Sequence, residues 1–291
     1  MSFSEKSCYG FGIRVAWRQG LSRRSNYIEK TLHLPHWICG PRESVLAAVL
    51  VREQTEFQDF DPIFAQGVVI VGGHAVNLWA SYYADRGDPV LASFAPFTSK
   101  DADIFLKDRD LAMAVATAAD WNFRTNPEPR SPVLGAIVMK KGTTELQVDV
   151  LRSVTGLTAS DLAMTELITF ANGKSYSVPA PEVMLKAKLA NLATHDQAQR
   201  QDERHVRILT RCCAQYLTDV CVAVTEGALS EREAVNRFMA TLRVISTAKV
   251  KKLDTKFDLR LPTAIPAWKG LEKSAGLVRL RAFYAHQIEG K

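Results

Sequence analysis

Cysteine is scarce in this chain of 291 residues, and its spacing excludes two kinds of protein. The five cysteines are odd in number, two of them are adjacent, and no Cys-x-x-Cys or Cys/His ligand spacing occurs. A disulfide framework and a zinc site are therefore not expected. A reducing compartment suits this cysteine usage best.

We expect neither a signal peptide nor a membrane span from the pattern of the sequence. Residues 62–84 carry no charged side chain and are long enough to cross a bilayer. This run contains Gln66, His74 and Asn77, however, and such polar groups are costly in hydrocarbon. We interpret it as a buried strand followed by a helix. The N-terminus lacks the apolar core of a signal peptide, so we expect a cytoplasmic protein with no membrane partner.

Extremes of composition are absent as well. Hydrophobic residues make up 47% and charged residues 23% of the chain, values typical of a folded globular protein rather than a disordered or fibrous one. The net charge of +6 is uneven, because residues 61–178 are net acidic and residues 179–291 are net basic. The acidic part suits divalent cations and the basic part suits a polyanion. For the basic part, charge alone favours the plainer interpretation, an ordinary solvated surface.

The periodicity of the sequence divides the chain into three predicted regions. Residues 1–60 are expected to form an N-terminal arm and a helix over 41–57. Residues 61–178 read as a mixed α/β unit with two hairpins, one turning at 141–143 and one at 171–174. Residues 179–291 read as amphipathic helices, predicted at 181–195, 201–225 and 230–250. Residues 85–99 are predicted to be a loop insert.

Acidic pairs of the form Asp-x-Asp occur three times, and only one of them enters a strand. Asp108 is expected to cap the helix that follows it, and Asp59 and Asp61 to end the helix before them. Asp101 and Asp103 instead begin a strand, whose period of two places both carboxylates on one face. Two neighbouring carboxylates repel each other unless cations lie between them, so this pair indicates a Mg²⁺ site.

A third carboxylate, Asp149, lies within a later strand on the face opposite Leu146, Val148 and Val150. It is either a solvent-facing residue of a half-exposed sheet or a further metal ligand. If its strand neighbours that of Asp101 and Asp103, the three acids converge.

The glycine pair Gly72-Gly73 separates the strand 67–71 from the helix that starts at His74. Free backbone N–H groups at a helix start form a cradle for phosphate, although a strand–Gly-Gly–helix junction is also a common tight turn. The pair belongs to neither a Walker A loop nor a G-x-G-x-x-G motif. His74 reads most simply as a polar residue of the helix's first turn, and contact with a ligand is the alternative, since it lies beside the phosphate-facing turn.

These segments together resemble the DNA polymerase β-like nucleotidyltransferase superfamily, and within it the abortive-infection (AbiEii-like) toxin branch. The resemblance is carried by Val69–Trp79, Thr98–Phe105, the acid in Leu146–Leu151, Val178–Ala190 and Arg200–Leu209. It covers about residues 60–210. The resemblance implies an α/β fold, with a nucleotidyltransferase-type mixed sheet, flanking helices and an all-helical C-terminal domain.

The resemblance also implies roles for individual residues. Asp101, Asp103 and Asp149 would be the catalytic acids and would hold Mg²⁺, with Asp149 assisting deprotonation of the acceptor. The residues implied to bind nucleotide are Gly72, Gly73, Ser99, Lys188 and Asp202. Lys186, two positions from Lys188, would face elsewhere as a solvated lysine.

The chain departs from the family pattern at three points. Gly73 stands where relatives have a serine, and Thr98 or Ser99 is expected to supply the missing hydroxyl. The segment between the glycines and Asp101 is longer than usual, which the 85–99 insert explains as a lid or an acceptor-facing loop. Gln201 and His205 stand where relatives have a lysine and a second acid.

Two functions follow from this pattern. The first is a Mg²⁺-dependent nucleotidyltransferase that moves a nucleoside monophosphate from a nucleoside triphosphate to an acceptor hydroxyl of RNA, tRNA or protein. Such an enzyme would be the toxin of a toxin–antitoxin or phage-defence pair, with an antitoxin protein as its partner. The alternative is a catalytically silent nucleotide-binding sensor of the same fold, and a plainer third option is a degenerate domain that serves only as an interaction surface.

Overall fold

A seven-stranded mixed sheet forms the centre of the part of the chain that the computed structural model describes, residues 52–99, 101–267 and 277–290. These residues belong to one unit, Val51–Lys291. The strand order is β5-β6-β7-β4-β2-β9-β8, and β1 pairs separately with β3. The strands are β1 (Arg52–Glu53), β2 (Val69–Val71), β3 (Thr98–Ser99), β4 (Ala102–Phe105), β5 (Asn122–Thr125), β6 (Val133–Lys141), β7 (Thr144–Leu151), β8 (Thr165–Thr169) and β9 (Ser175–Pro179).

The three central strands combine both directions of pairing. β4 is antiparallel to β2 and parallel to β7, and β2 is parallel to β9. Ile70, Ile104, Val148 and Val150 of these strands are fully buried in the hydrophobic core. Burial alternates along β4 and along the second half of β7, as expected for strands with one face in the core.

Helices surround the sheet and make up every described element of regular structure after β9. Their bounds are α1 (Asp61–Phe64), α2 (Gly72–Asp85), α3 (Pro89–Ala92), α4 (Arg109–Ala118), α5 (Ala159–Leu162), α6 (Pro181–Thr194), α7 (Asp202–Thr225), α8 (Glu231–Ile245), α9 (Ala248–Phe257) and α10 (Val278–Gln287), with 3-10 helices at Gln54–Phe60 and Leu261–Ala264. None of the described helices combines the length and the apolarity that crossing a bilayer requires.

The coarse α/β prediction and both hairpins are confirmed. β6 and β7 turn at residues 142–143, and β8 and β9 turn at 170–174. The uncharged run 62–84 contains the end of α1, the strand β2 and most of α2, as predicted. Asp108 caps α4 by accepting a hydrogen bond from the Leu111 N–H at 2.8 Å.

Four local predictions need correction. The helix predicted at 230–250 is two helices, because Thr247 caps a new start at α9. The helix predicted at 41–57 lies outside the described residues except at its end, where β1 and a 3-10 helix are found instead. Asp61 begins α1 rather than ending a helix. The insert 85–99 contains α3, capped by Asp88, and is not an unstructured loop.

The insert is also fixed to α7. The Arg211 guanidinium binds the Asp88 carboxylate at 2.7 Å, and Arg204 donates to the backbone carbonyls of Phe94 and Pro96. These contacts anchor the insert 85–99 to α7, so it is a fixed connection rather than a lid. The predicted boundary at residue 178 falls within β9, one residue before that strand ends at Pro179. The division into separate catalytic and helical domains stays a prediction.

Candidate active site

Asp103 and Asp149 lie opposite each other on neighbouring strands. Asp103 of β4 is the register partner of Asp149 of β7 in the parallel pair, and both are partly buried. Partners in adjacent strands point to the same face of a sheet. Asp101 immediately precedes β4, is exposed, and is close enough for its charge to act on both of these carboxylates. The sheet therefore brings the three predicted acids to one edge.

The electrostatics of this edge disfavour two neighbouring negative charges. Burial, and then the charges of Asp149 and Asp101, raise the pKa of Asp103 to about 7. Burial also raises the pKa of Asp149, an effect that its hydrogen bond from Gln147 Nε2 at 2.6 Å opposes. No described residue donates a hydrogen bond to the Asp103 carboxylate. The carboxylate of Asp103 is thus available to a ligand or cation.

The glycine turn lies directly against Asp103. Val71 is the register partner of Asp103, and Gly72 has a left-handed backbone with φ of +70°. A Cβ atom at Gly72 would overlap the Asp103 carboxylate. Only glycine satisfies both the backbone conformation and the space at this position. Among the described residues no side chain caps the start of α2, so its first N–H groups lack a side-chain partner.

Ser99 occupies the space that a side chain at Gly73 would need. A Cβ at Gly73 would lie 2.7 Å from Ser99 Oγ and 3.2 Å from His205 Cε1. The buried Ser99 hydroxyl donates to the carbonyl of Asp101 at 3.0 Å. Ser99 therefore places a hydroxyl beside the glycine turn, in the space that a side chain at Gly73 would fill. Thr98, the other residue considered for this role, is the register partner of Glu53 in the β1–β3 pair.

Lys188 and Asp202 form a buried ion pair between two helices, and Lys188 is close enough to Asp103 for the two charges to interact. Lys188 Nζ of α6 lies 3.2 Å from Asp202 Oδ1 of α7, and both side chains are buried. Burial lowers the pKa of Lys188, while the charges of Asp202 and Asp103 oppose that effect. Arg200 also binds Asp202, at 2.5 Å. Burial alone would raise the pKa of Asp202, but the two cations hold it below its usual value.

Sequence reasoning did not assign a role to His205, which the structure places at the site. Its ring is 5% exposed and contacts the position of Gly73, and neither ring nitrogen has a hydrogen-bond partner among the described residues. Burial, then the charge of Lys188, lowers the pKa of His205 well below its usual value, so the ring is neutral. The available signal was its spacing of three residues from Asp202, which places both on one face of α7.

Two further predicted positions lie away from the acids. His74 stacks on Phe57 and Phe64 in the core, with ring centroids 4.0 Å and 5.4 Å away, and burial lowers its pKa to about 3. Its ring is therefore part of the hydrophobic core. Lys186 pairs with Asp161 at 2.8 Å, so it does face away from Lys188, as predicted, but it is not a free solvated lysine.

The three acids fit a divalent cation in their chemistry but do not form a ready-made centre. Oxygen ligands and mutual repulsion at a partly buried site are features that suit Mg²⁺. Among the described residues, however, no three His, Cys, Asp or Glu side chains are grouped as a metal-binding cluster. Two cavities, of about 580 Å³ and 290 Å³, lie elsewhere, and none of the three acids lines either of them.

Comparison of the chain with protein-family models gives no match, and comparison with curated proteins gives none either.

Proposed function

We propose that the chain is a Mg²⁺-dependent nucleotidyltransferase that moves a nucleoside monophosphate from a nucleoside triphosphate to an acceptor hydroxyl. One observation carries this proposal: Asp103 is the register partner of Asp149 on the neighbouring strand and also lies against the Gly72 turn. A carboxylate pair beside an uncapped helix start offers a place for a cation next to a place for phosphate. The finer fold assignment, a nucleotidyltransferase-type sheet followed by an all-helical domain, belongs to the same proposal.

Each group of the site has a role in this reaction. Asp101, Asp103 and Asp149 would hold Mg²⁺, which supplies positive charge to the attacking and leaving oxygens when bound. The N–H groups of Gly72 and Gly73 would donate to the triphosphate, and Lys188 would add positive charge there. Asp149 would also assist removal of the proton from the acceptor hydroxyl.

The proposed acceptor, a nucleic acid, is inferred from the net positive charge of residues 179–291. The segment 179–291 carries the excess of lysine and arginine, and an RNA or tRNA backbone would be attracted to such a surface. Protein is the other acceptor class considered. An antitoxin protein partner, which the resemblance implies, is part of the proposal.

A test of the activity uses labelled nucleoside triphosphates, Mg²⁺ and either total RNA or total protein. Wild type is expected to transfer label, and the Asp101→Ala/Asp103→Ala variant to lose that transfer. Asp110→Asn is the matched control, because Asp110 is an exposed acid of another Asp-x-Asp pair in the first turn of α4. Wild-type transfer no greater than that of the double variant refutes the transferase.

A catalytically silent nucleotide-binding module is the second candidate. The neutral His205 in place of an acid favours it, together with the lack of a preassembled three-carboxylate centre among the described residues. Metal-dependent nucleotide binding without release of pyrophosphate would support this candidate over the first. A chain that binds no nucleotide contradicts both.

A further inference from the structure

A cavity of about 580 Å³ lies between α6, α8 and α9, away from the candidate active site. Its volume is within the range of sites that bind small molecules. Apolar side chains from three helices line it, among them Val183 and Leu189 of α6, Val244 of α8, and Leu253 of α9. The wall is therefore suited to the apolar body of a ligand rather than to a fully polar molecule.

More positively charged than negatively charged side chains line this cavity. Two exposed cations, Arg243 and Lys249, line it, and neither forms an ion pair with an acid in the described part of the chain. The two acids that line the cavity are already paired, Asp161 with Lys186 and Glu182 with Arg237. The unmatched positive charge thus lies where the cavity reaches the surface.

We propose that this cavity binds an amphiphilic carboxylate, with its apolar body between α6, α8 and α9 and its carboxylate between Arg243 and Lys249. The guanidinium of Arg243 suits a carboxylate because it can donate two parallel hydrogen bonds. Lys249 adds a second positive charge from the first turn of α9. The proposal does not depend on the nucleotidyltransferase assignment.

The cavity shares one helix with the candidate active site. Lys186 of α6 lines the cavity, and Lys188, two positions later, contacts Asp202 on the active-site side. A ligand in the cavity would therefore contact the helix that positions Lys188.

Calorimetric titration of the full chain with octanoate and with octan-1-ol tests the proposal. The two compounds share an apolar chain and differ in charge, so we expect octanoate to bind about tenfold more tightly. Arg243→Gln/Lys249→Gln should remove that advantage and leave octan-1-ol binding unchanged. The matched control is Arg130→Gln/Lys140→Gln, which removes two exposed positive charges that do not line the cavity.

Filling the cavity is the second arm of the test. Ala240→Phe and Ala193→Phe, from facing helices, should each abolish binding of both compounds. The proposal is overturned if octanoate binds wild type no more tightly than octan-1-ol does. It is also overturned if octanoate binds both filled variants as tightly as it binds wild type. If octanoate fails to bind wild type and Ala240→Phe dissociates an oligomer, the cavity is a contact between copies and the proposal is wrong. The glutamine variants change only surface residues, so their result stands even if a filled variant fails to fold.

Discussion

Asp103 and Asp149 are register partners on adjacent parallel strands, and Asp103 also lies against the Gly72 turn. This relationship joins two features that are distant in the sequence. A partly buried carboxylate and a helix start without a side-chain cap occupy the same edge of the sheet. Within the described part of the chain each of them leaves polar groups without a hydrogen-bond partner, which is unfavourable for the fold alone. A ligand that carries phosphate together with a cation would satisfy both.

The raised pKa of Asp103 predicts a pH-dependent stability of the metal-free protein. The folded state keeps a proton on Asp103 up to a pH of about 7, while the unfolded chain loses it near pH 4, about its ordinary value. The free energy of unfolding should therefore fall as the pH rises through this window. Asp103→Asn removes this dependence, so its stability relative to wild type should rise by roughly 2–3 kcal/mol between pH 5 and pH 8.

Chemical unfolding in the presence of a chelator at the two pH values measures this difference. Glu182, whose pKa burial also raises to about 7, contributes equally to both proteins and cancels. Asp110→Asn, which removes an exposed acid from the first turn of α4, is the control for the loss of a negative charge elsewhere in the fold. If the free energies of unfolding of Asp103→Asn and wild type differ by the same amount at pH 5 and pH 8, the pKa of Asp103 is not raised in the folded protein.

Gly72→Ala should destabilise the protein more than the same change at Gly67. Both glycines have a positive φ, +70° and +73°, so alanine has a similar backbone cost of about 1 kcal/mol at either one. Only at Gly72 does the new Cβ meet the Asp103 carboxylate, whereas nothing lies within 4 Å at Gly67. We expect Gly72→Ala to cost roughly 2–4 kcal/mol in total.

Thermal or chemical unfolding of the two alanine variants provides the measurement. In an Asp103→Ala background the extra cost of Gly72→Ala should shrink, because most of the overlapping atoms are gone. Equal costs at Gly67 and Gly72 would mean that the turn and the acid are not in contact.

Lys188→Met should cost far more stability than Lys186→Met. The two lysines lie on α6 and each pairs with an aspartate, but the Lys188–Asp202 pair is buried and the Lys186–Asp161 pair is partly exposed. Removing one partner of a buried pair leaves a charge without its neighbour, although Arg200 still binds Asp202. We expect a loss of about 3 kcal/mol for Lys188→Met and under about 1 kcal/mol for Lys186→Met. Urea unfolding of both variants compares the costs, and similar values would show that Lys188 is not held in a buried pair.

A serine at position 73 should be tolerated only if the side chain of Ser99 is shortened at the same time. Gly73→Ser alone places its Cβ 2.7 Å from Ser99 Oγ and should destabilise the protein. Gly73→Ser/Ser99→Ala removes that oxygen, so it should recover much of the lost stability. Melting temperatures of the two variants and of Ser99→Ala check this coupling. Additive effects would show that the two positions do not share one space.

The local elements of the fold could be predicted where the sequence carries turn and cap signals. The Asn-Gly turn at 172–173 and the glycine at 142 identified both hairpins, and the helix predicted at 181–195 ends at Thr194. The break between α8 and α9 was missed although Thr247 is a typical cap residue. Asp88 followed by Pro89 carried a similar unused signal for α3.

The candidate site was only partly predictable, because its assembly depends on contacts between distant segments. The alternation in β7 placed Asp149 opposite the core, but pairing of β7 with β4 was only an assumption until the sheet order was known. The position of His205 beside Gly73 results from packing of α7 on α2, which no local pattern specifies. The 580 Å³ cavity likewise depends on how three helices meet.

Binding of Mn²⁺ in the presence of a nucleoside triphosphate, followed by electron paramagnetic resonance, tests the central claim most directly. Wild type and Asp110→Asn are expected to bind the ion, and Asp103→Asn and Asp149→Asn to bind it at least tenfold more weakly. If the two site variants bind Mn²⁺ as tightly as wild type, the shared cation site between Asp103 and Asp149 does not exist.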